Sequence, residues 1–197
     1  MPKIVDHNVQ RARFCEAAMR LIARDGMEGV TMRAVAAEAG LSYGSLFHYF
    51  DSKDALLTYA IGQLMENQTR RVNEFSSRLT GLPTIEELLS YDAVVDNSSR
   101  DGWLVCVAFL HKASLQQEFA HMNNDLIQGW LDRIEAELRI AREAGEVADD
   151  LDVESEAMAI WVFSSGLGQN GLLHPDWLPP DRQKRMIRSY LQRLKIS

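Results

Sequence analysis

Between Thr31 and Lys53 the chain carries side chains suited to recognition rather than to bond making: Thr31, Arg33, Ser42, Tyr43, Gly44, Ser45, Phe47, His48, Tyr49 and Lys53. Tyr43 and Ser45 open a short helical pattern, and their hydroxyls can donate to or accept from base edges. Gly44 between them lets the backbone approach another surface closely. Phe47 offers an aromatic face to a thymine methyl or a sugar. His48 and Tyr49 stand where hydrogen bonds to phosphate fix orientation, and Lys53 adds a charge for the next phosphate. Thr31 can present its hydroxyl or a helix N-terminus to a phosphate. Arg33 can reach a guanine bidentately or a backbone oxygen. Together these groups have the chemistry of reading a duplex.

Elsewhere the reactive residue types do not converge. His111 and His121 point to different helix faces, and no His, Cys, Asp or Glu cluster has metal-ligand spacing. There is no nucleophile elbow, Ser/His/Asp order or phosphate loop. Residues 166–171, GLGQNG, match G-x-G-x-x-G but interrupt a helical pattern and run into His174 and Pro175, where a dinucleotide site needs a preceding strand. No cofactor, metal or enzymatic activity is expected. Cys15 and Cys106 lie in apolar helical contexts without a pairing pattern and read as buried free thiols of a reducing cytoplasm.

The elements that must position the recognition residues are two short helices across a tight corner. Val35, Ala36 and Ala39 form an apolar stripe that buries one face of the first. Thr31 caps its start, and Gly40 ends it in a conformation that only glycine adopts cheaply. Leu41 is the apolar corner and Ser42 caps the second helix, in which Leu46 and Phe50 face the core. This is a helix-turn-helix whose second helix suits a major groove. Residues 9–25 supply a supporting helix through Phe14, Cys15, Ala18, Leu21 and Ile22, with Gly26 ending it. Arg11 and Arg13 near its start read as solvated.

The spacing then predicts a long linking helix over 52–79, capped by Ser52, with Ala55, Leu56, Tyr59, Ala60, Leu64, Val72 and Phe75 along its stripe. At 1.5 Å per residue it would be a rod about 40 Å long. Thr84 to Glu87 read as a capping box opening a fifth helix to about Asn97. Residues 97–102 read as a break before a sixth helix over 101–113. Ser114 is expected to cap a seventh that Gly145 stops. Asp152 caps an eighth over 153–173, and the last spans 181–194. The fold class is all-α with about nine helices. Residues 1–57 form the helix-turn-helix module and 58–197 a helical body.

The order T-x-R-x-V-A, A-G-L-S, S-L-F-H-Y-F, S-K-D-A-L over about residues 11–57 resembles the DNA-binding domain of TetR-type bacterial transcriptional regulators. The resemblance implies that the residues named above are the DNA contacts. It differs at Phe47, where the family usually has Tyr, so a phosphate-directed hydroxyl is missing there. It also implies a body that dimerises and binds an effector.

One recognition helix reads only a few base pairs, whereas a two-fold dimer reads a palindrome. Candidates for the dimer seam are Met158, Trp161, Phe163, Gly166 and Leu167 on the eighth helix, with Met186, Ile187, Tyr190, Leu191 and Leu194 on the ninth. Trp103, Phe109, His111, Phe119, Met122, Asn123 and Trp130 mix bulky apolar and polar groups as an effector pocket does, and as a core does too. The expected function is a cytoplasmic, homodimeric, ligand-responsive repressor binding a palindromic operator in double-stranded DNA, with a small molecule as effector. An activator or a ligand-independent DNA-binding protein on the same fold is the alternative.

Composition permits this. Of 197 residues 46% are hydrophobic and 25% charged, as in ordinary globular chains, and no apolar run is long enough for a membrane helix. The net charge of −7 resides wholly behind the first module, because residues 1–56 hold equal numbers of basic and acidic residues. An acidic body faces away from DNA. Its charge suits cationic ligands and serves solubility equally.

Overall fold

A computed structural model of the chain describes residues 7–196, apart from the side chains of residues 65, 68, 71, 72, 75 and 76. Among the described residues it is all-α, with nine helices and one isolated antiparallel bridge between Val147 and Lys195. The expected stripe positions Val72 and Phe75 lie outside the described side chains.

Helix α1 (His7–Gly29) buries Phe14, Cys15, Ala17, Ala18, Leu21 and Ile22 and breaks at Gly26, whose φ is 71°. Helix α2 (Met32–Glu38) starts where the Thr31 hydroxyl accepts from the Ala34 N–H at 3.1 Å. It ends in a Schellman arrangement: with Gly40 at φ 65°, the Leu41 N–H reaches the Ala36 carbonyl and the Gly40 N–H reaches that of Ala37, both at 3.0 Å. Helix α3 (Tyr43–Leu46) is a single turn capped by Ser42, shorter than the expected run to Phe50, and continues as turns. Leu46 and Phe50 are both buried. Ser52 caps α4 (Lys53–Ser76) through the Ala55 N–H at 3.0 Å.

The body comprises α5 (Leu82–Asp92), α6 (Asn97–Leu115), α7 (Gln117–Glu143), α8 (Val153–Leu173) and α9 (Pro180–Leu194). Several expected boundaries differ, and α5 ends at Asp92 rather than near Asn97. Thr84 is wholly buried inside α5, with its hydroxyl unpartnered, so the 84–87 capping box does not form. The α5 N-terminus is instead satisfied from far along the chain: Glu137 accepts from the Gly81 N–H at 2.9 Å and Glu146 from the Leu82 N–H at 3.0 Å. Residues 97–102 are not a break but the first turns of α6, because Asp96 and Ser99 cap it reciprocally. Ser114 lies inside α6, its hydroxyl donating to the His111 carbonyl, and α7 begins after Gln116. Arg11 is half-buried rather than solvated, whereas Arg13 is exposed as expected. The Arg11 guanidinium covers the Tyr59 ring at 4.2 Å, and Arg13 donates to the Ala39 carbonyl at 2.8 Å, closing the α2 C-terminus.

Two apolar clusters hold the chain together. One joins α1–α4 to Val105 and Phe109 of α6 and Phe119 of α7; the other joins α5 and the second half of α7 to α8 and α9. Gln183 is the polar keystone of the second. Fully buried, it donates to the carbonyls of Val94 (2.9 Å) and Leu178 (2.8 Å) and accepts from the Val94 N–H (2.8 Å). Gln183→Leu strands two buried backbone groups of Val94 and a half-buried carbonyl of Leu178, and is expected to lower stability by about 3–5 kcal/mol, read by urea unfolding. A loss under 1 kcal/mol would show that water replaces the amide.

Candidate nucleic-acid interface

The short α3 presents an aromatic and cationic surface on a rigid base. Leu46 and Phe50 anchor it from below, while Ser42 and Ser45 lock its first turn: the Ser45 N–H donates to the Ser42 hydroxyl (3.1 Å) and the Ser45 hydroxyl to the Ser42 carbonyl (2.7 Å). Outward stand Tyr43 and Phe47, 46% and 44% exposed, with their rings edge to face at 5.1 Å. Large aromatic groups so exposed on a monomer mark a contact surface. Arg33 is exposed on α2 with its guanidinium 5.7 Å from the Tyr43 ring, so the two helices carry one continuous patch. His48 and Thr31 are exposed beside it, and around Gly44 nothing lies where a side chain would extend.

Two expected contacts sit differently. Tyr49 turns inward, half-buried, its ring 5.8 Å from Phe14 and 5.4 Å from His7. A single helical turn cannot carry residue 49 round to the outer face with Tyr43. Lys53 donates to the Met27 carbonyl at 2.9 Å, tying the start of α4 to the end of α1. Burial, and then the neighbouring Lys112, lowers its pKa. Arg20 and Arg24 both pair with Glu38, at 2.9 and 3.1 Å, and pin α1 to α2. These are exposed pairs of small energetic weight.

The residues expected to line an effector pocket divide between two places. Phe109 and Phe119 are buried in the front cluster, rings 6.1 Å apart, with Met122 packed against them; Trp130 packs on the rear cluster. His111 is exposed and Asn123 half-buried. Trp103 lies across α8 at Gly168, where any Cβ would collide with the indole. Lys112 sits over the Phe119 ring at 4.2 Å and pairs with Asp54, joining the front of α4 to the corner between α6 and α7. A groove of about 370 Å³ lies elsewhere, lined by Asn170, His174, Trp177, Leu178, Arg182 and Met186. Among the described residues no group of His, Cys, Asp and Glu could hold a metal, and no helix is long and apolar enough to cross a membrane.

Of the expected dimer seam, Leu167, Ile187 and Leu191 are core residues of the rear cluster, and Leu194 packs against it. Phe163 stacks on Tyr190 at 4.6 Å, and the Tyr190 hydroxyl donates to Glu156 at 2.7 Å, so this pair fastens α8 to α9. Trp161 is half-buried and Gly166 has open space above it. Met158, Val162 and Met186 remain exposed at 45%, 55% and 38%.

Asp92 and Ser164, which the sequence did not single out, form a polar contact inside the body. The Asp92 carboxylate accepts from the Ser164 hydroxyl at 2.7 Å, with no cation paired to it among the described residues. Burial pushes its pKa up to about 6, against a lowering by the Ser164 bond. A carboxyl with a raised folded pKa adds stability while protonated and loses it as pH rises through the folded value. Asp92→Asn is therefore expected to exceed the native protein in stability by about 3 kcal/mol at pH 8, with the gap closing as pH falls from 8 to 4, chiefly between 6 and 4. Paired thermal melts across that range read it, and a constant gap would overturn it. Cys15 and Cys106 are free, and burial pushes their thiols up to about 12 and about 11.

Similarity to known proteins agrees with this geometry. Residues 14–60 match the family described as bacterial regulatory proteins, tetR family, and residues 85–195 match BetI-type transcriptional repressor, C-terminal. The HTH-type transcriptional regulator PksA of Bacillus subtilis (strain 168) is 30% identical over 198 residues, spanning 100% of this chain and 95% of that protein. The HTH-type transcriptional regulator BetI of Vibrio vulnificus (strain YJ016) is 24% identical over 204 residues, spanning 98% and 96%. A transcriptional regulator from Saccharomonospora viridis, solved in complex with choline, superposes with a TM-score of 0.89 at 21% identity, over 96% of this chain and 99% of that one. These relatives are regulators rather than enzymes. With an N-terminal helix-turn-helix and a helical body behind it, this chain belongs to the TetR family of bacterial regulatory proteins.

Proposed function

We propose that the protein is a cytoplasmic, ligand-responsive repressor that binds a palindromic operator as a homodimer. The observation that carries this reading is the exposed patch of Arg33, Tyr43, Phe47 and His48 on a short helix with a buried base. Residues 1–57 are the reading module, α4 links it to the body, and the body dimerises and takes the effector. Tyr43 and Arg33 address base edges, Phe47 a thymine methyl or a sugar, and His48 a phosphate, with the Thr31 end of α2 on the neighbouring phosphate. Ser42, Gly44 and Ser45 bring the turn close to the duplex. Tyr49 and Lys53 hold the module's shape and touch DNA only at its edge.

The exposed Met158 and Val162 of α8, with Gly166 permitting close approach, support a seam between two copies. Two modules one DNA turn apart, about 34 Å, would occupy successive major grooves. An effector that prefers a second arrangement of the body changes that spacing and releases DNA, and operator DNA weakens effector binding by the same factor. The relative solved with choline supports a small-molecule site in this fold.

Gel-shift titration against the promoter upstream of its own gene tests the reading. Tyr43→Ala is expected to weaken operator binding at least 10-fold and to relax its sequence preference. Arg33→Ala is expected to lower the salt slope as well, by about one where the guanidinium meets phosphate. Wild-type affinity in both variants would show that another surface meets DNA.

A further inference from the structure

Asp92 is a half-buried carboxylate with no cation paired to it among the described residues. Asp92 is the last residue of α5, where the negative end of the helix dipole disfavours a carboxylate. Ser164 of α8 is its hydrogen-bond donor at 2.7 Å, and no Lys, Arg or His among the described residues pairs with it. A carboxylate partly withdrawn from water is stabilised by a cation brought beside it. Cys106, three residues beyond Trp103 on α6, feels this charge, which adds to burial in raising its thiol. The Asp92 carboxylate thus lies where α5, α6 and α8 meet.

An aromatic plate covers that place. The Trp103 indole N–H donates to the Asp92 carbonyl at 2.6 Å, and its ring rests on Gly168, one turn of α8 beyond Ser164. Trp103 is half-buried. Turning the indole off Gly168 would clear a space floored by glycine backbone and walled by Asp92 and Ser164. The displaced ring would remain available for a cation–π contact.

We propose that Asp92, Ser164 and Trp103 anchor an effector site between α5, α6 and α8 that takes an organic cation bearing N–H groups, a protonated amine. The proposal rests on the reading of the chain as a ligand-responsive regulator. The N–H requirement follows from the acceptors present. One carboxylate oxygen has no donor among the described residues, and the Ser164 hydroxyl oxygen can accept while donating to the other. A primary ammonium fills both, whereas a quaternary ion offers them only charge.

Isothermal titration of the DNA-free protein at pH 7.5 with benzylammonium, benzyl alcohol and benzyltrimethylammonium tests this. Benzylammonium is expected to bind saturably, benzyl alcohol, similar in size and shape but neutral, at least 10-fold more weakly, and the quaternary ion between them. Asp92→Asn, which keeps the shape of the side chain, is expected to lose the preference for benzylammonium over benzyl alcohol, and its thermal melt verifies that it is folded. Trp103→Phe is expected to abolish the change in tryptophan emission that accompanies binding. Equal binding of the amine and the alcohol, equal amine binding by Asp92→Asn, or no saturable amine binding would each overturn the site. Operator titration of the same samples keeps the two readings apart: amine binding without operator binding fails the repressor reading alone, and operator binding without amine binding fails this site alone.

Discussion

Val162→Glu is expected to convert the protein from dimer to monomer at micromolar concentration and to weaken operator binding at least 100-fold. Val162 is 55% exposed near the middle of α8, with Met158 one turn before it, also exposed at 45%. In the proposed homodimer this apolar pair, on a helix whose opposite face packs on the rear core, is the seam with the second copy. Each copy contributes the same residue to a two-fold seam, so the substitution buries two like charges near one axis. Losing the dimer leaves each module with half an operator, and the contacts of the other half no longer add. Sedimentation equilibrium and gel shift read the two effects. Val162→Ala, which removes area without adding charge, is expected to stay dimeric. A Val162→Glu protein that remains a dimer would place the seam elsewhere, the open groove beside Trp177 and Met186 being the next surface to test.

Phe119→Ala is expected to lower stability by about 3–5 kcal/mol, the usual range for emptying a fully buried phenylalanine site. Phe119 has no exposed surface, lies edge to face with Phe109 at 6.1 Å, and carries Lys112 on its ring at 4.2 Å. It stands where the first turn of α7 meets the cluster shared with α1–α4. The void would therefore loosen the seat of the reading module as well as the body. Its functional signature differs from that of a DNA contact: operator affinity should fall with temperature in step with the melt, and recover on cooling where the protein is folded. Phe119→Leu, which refills much of the volume, is expected to restore most of both. An alanine variant with native stability and lost effector response would return Phe119 to the lining of a pocket.

The Phe119 case shows how far residue type carries. From the sequence, Trp103, Phe109, Phe119, Met122 and Trp130 suit a pocket but, taken one by one, suit a core better; both are made of bulky apolar side chains at helical spacing. Only the packing divides them, sending Phe109 and Phe119 forward, Trp130 to the rear and Trp103 onto Gly168. The α8 seam divides in the same way. A helix apolar nearly all round does not reveal which stripe meets its own core, so Leu167 and Val162 look alike until α9 and α7 are in place.

What the sequence determined by itself is the local machinery. Thr31, Ser42, Ser52 and Asp152 were legible as caps, and Gly40 and Gly145 as stops, because a hydroxyl or carboxylate three residues from an N–H, or a glycine with positive φ, acts within one turn of chain. The helix-turn-helix and the outward Tyr43, Phe47 and His48 followed from the same short-range rules, while Tyr49 did not. What only the tertiary structure decided involves partners far apart in the chain: Glu137 and Glu146 capping α5, Gln183 holding Val94, Lys53 fastened to Met27, and Ser164 meeting Asp92. A side chain's periodicity says which way it faces on its own helix. Whether another helix is there to receive it is settled when the whole chain packs.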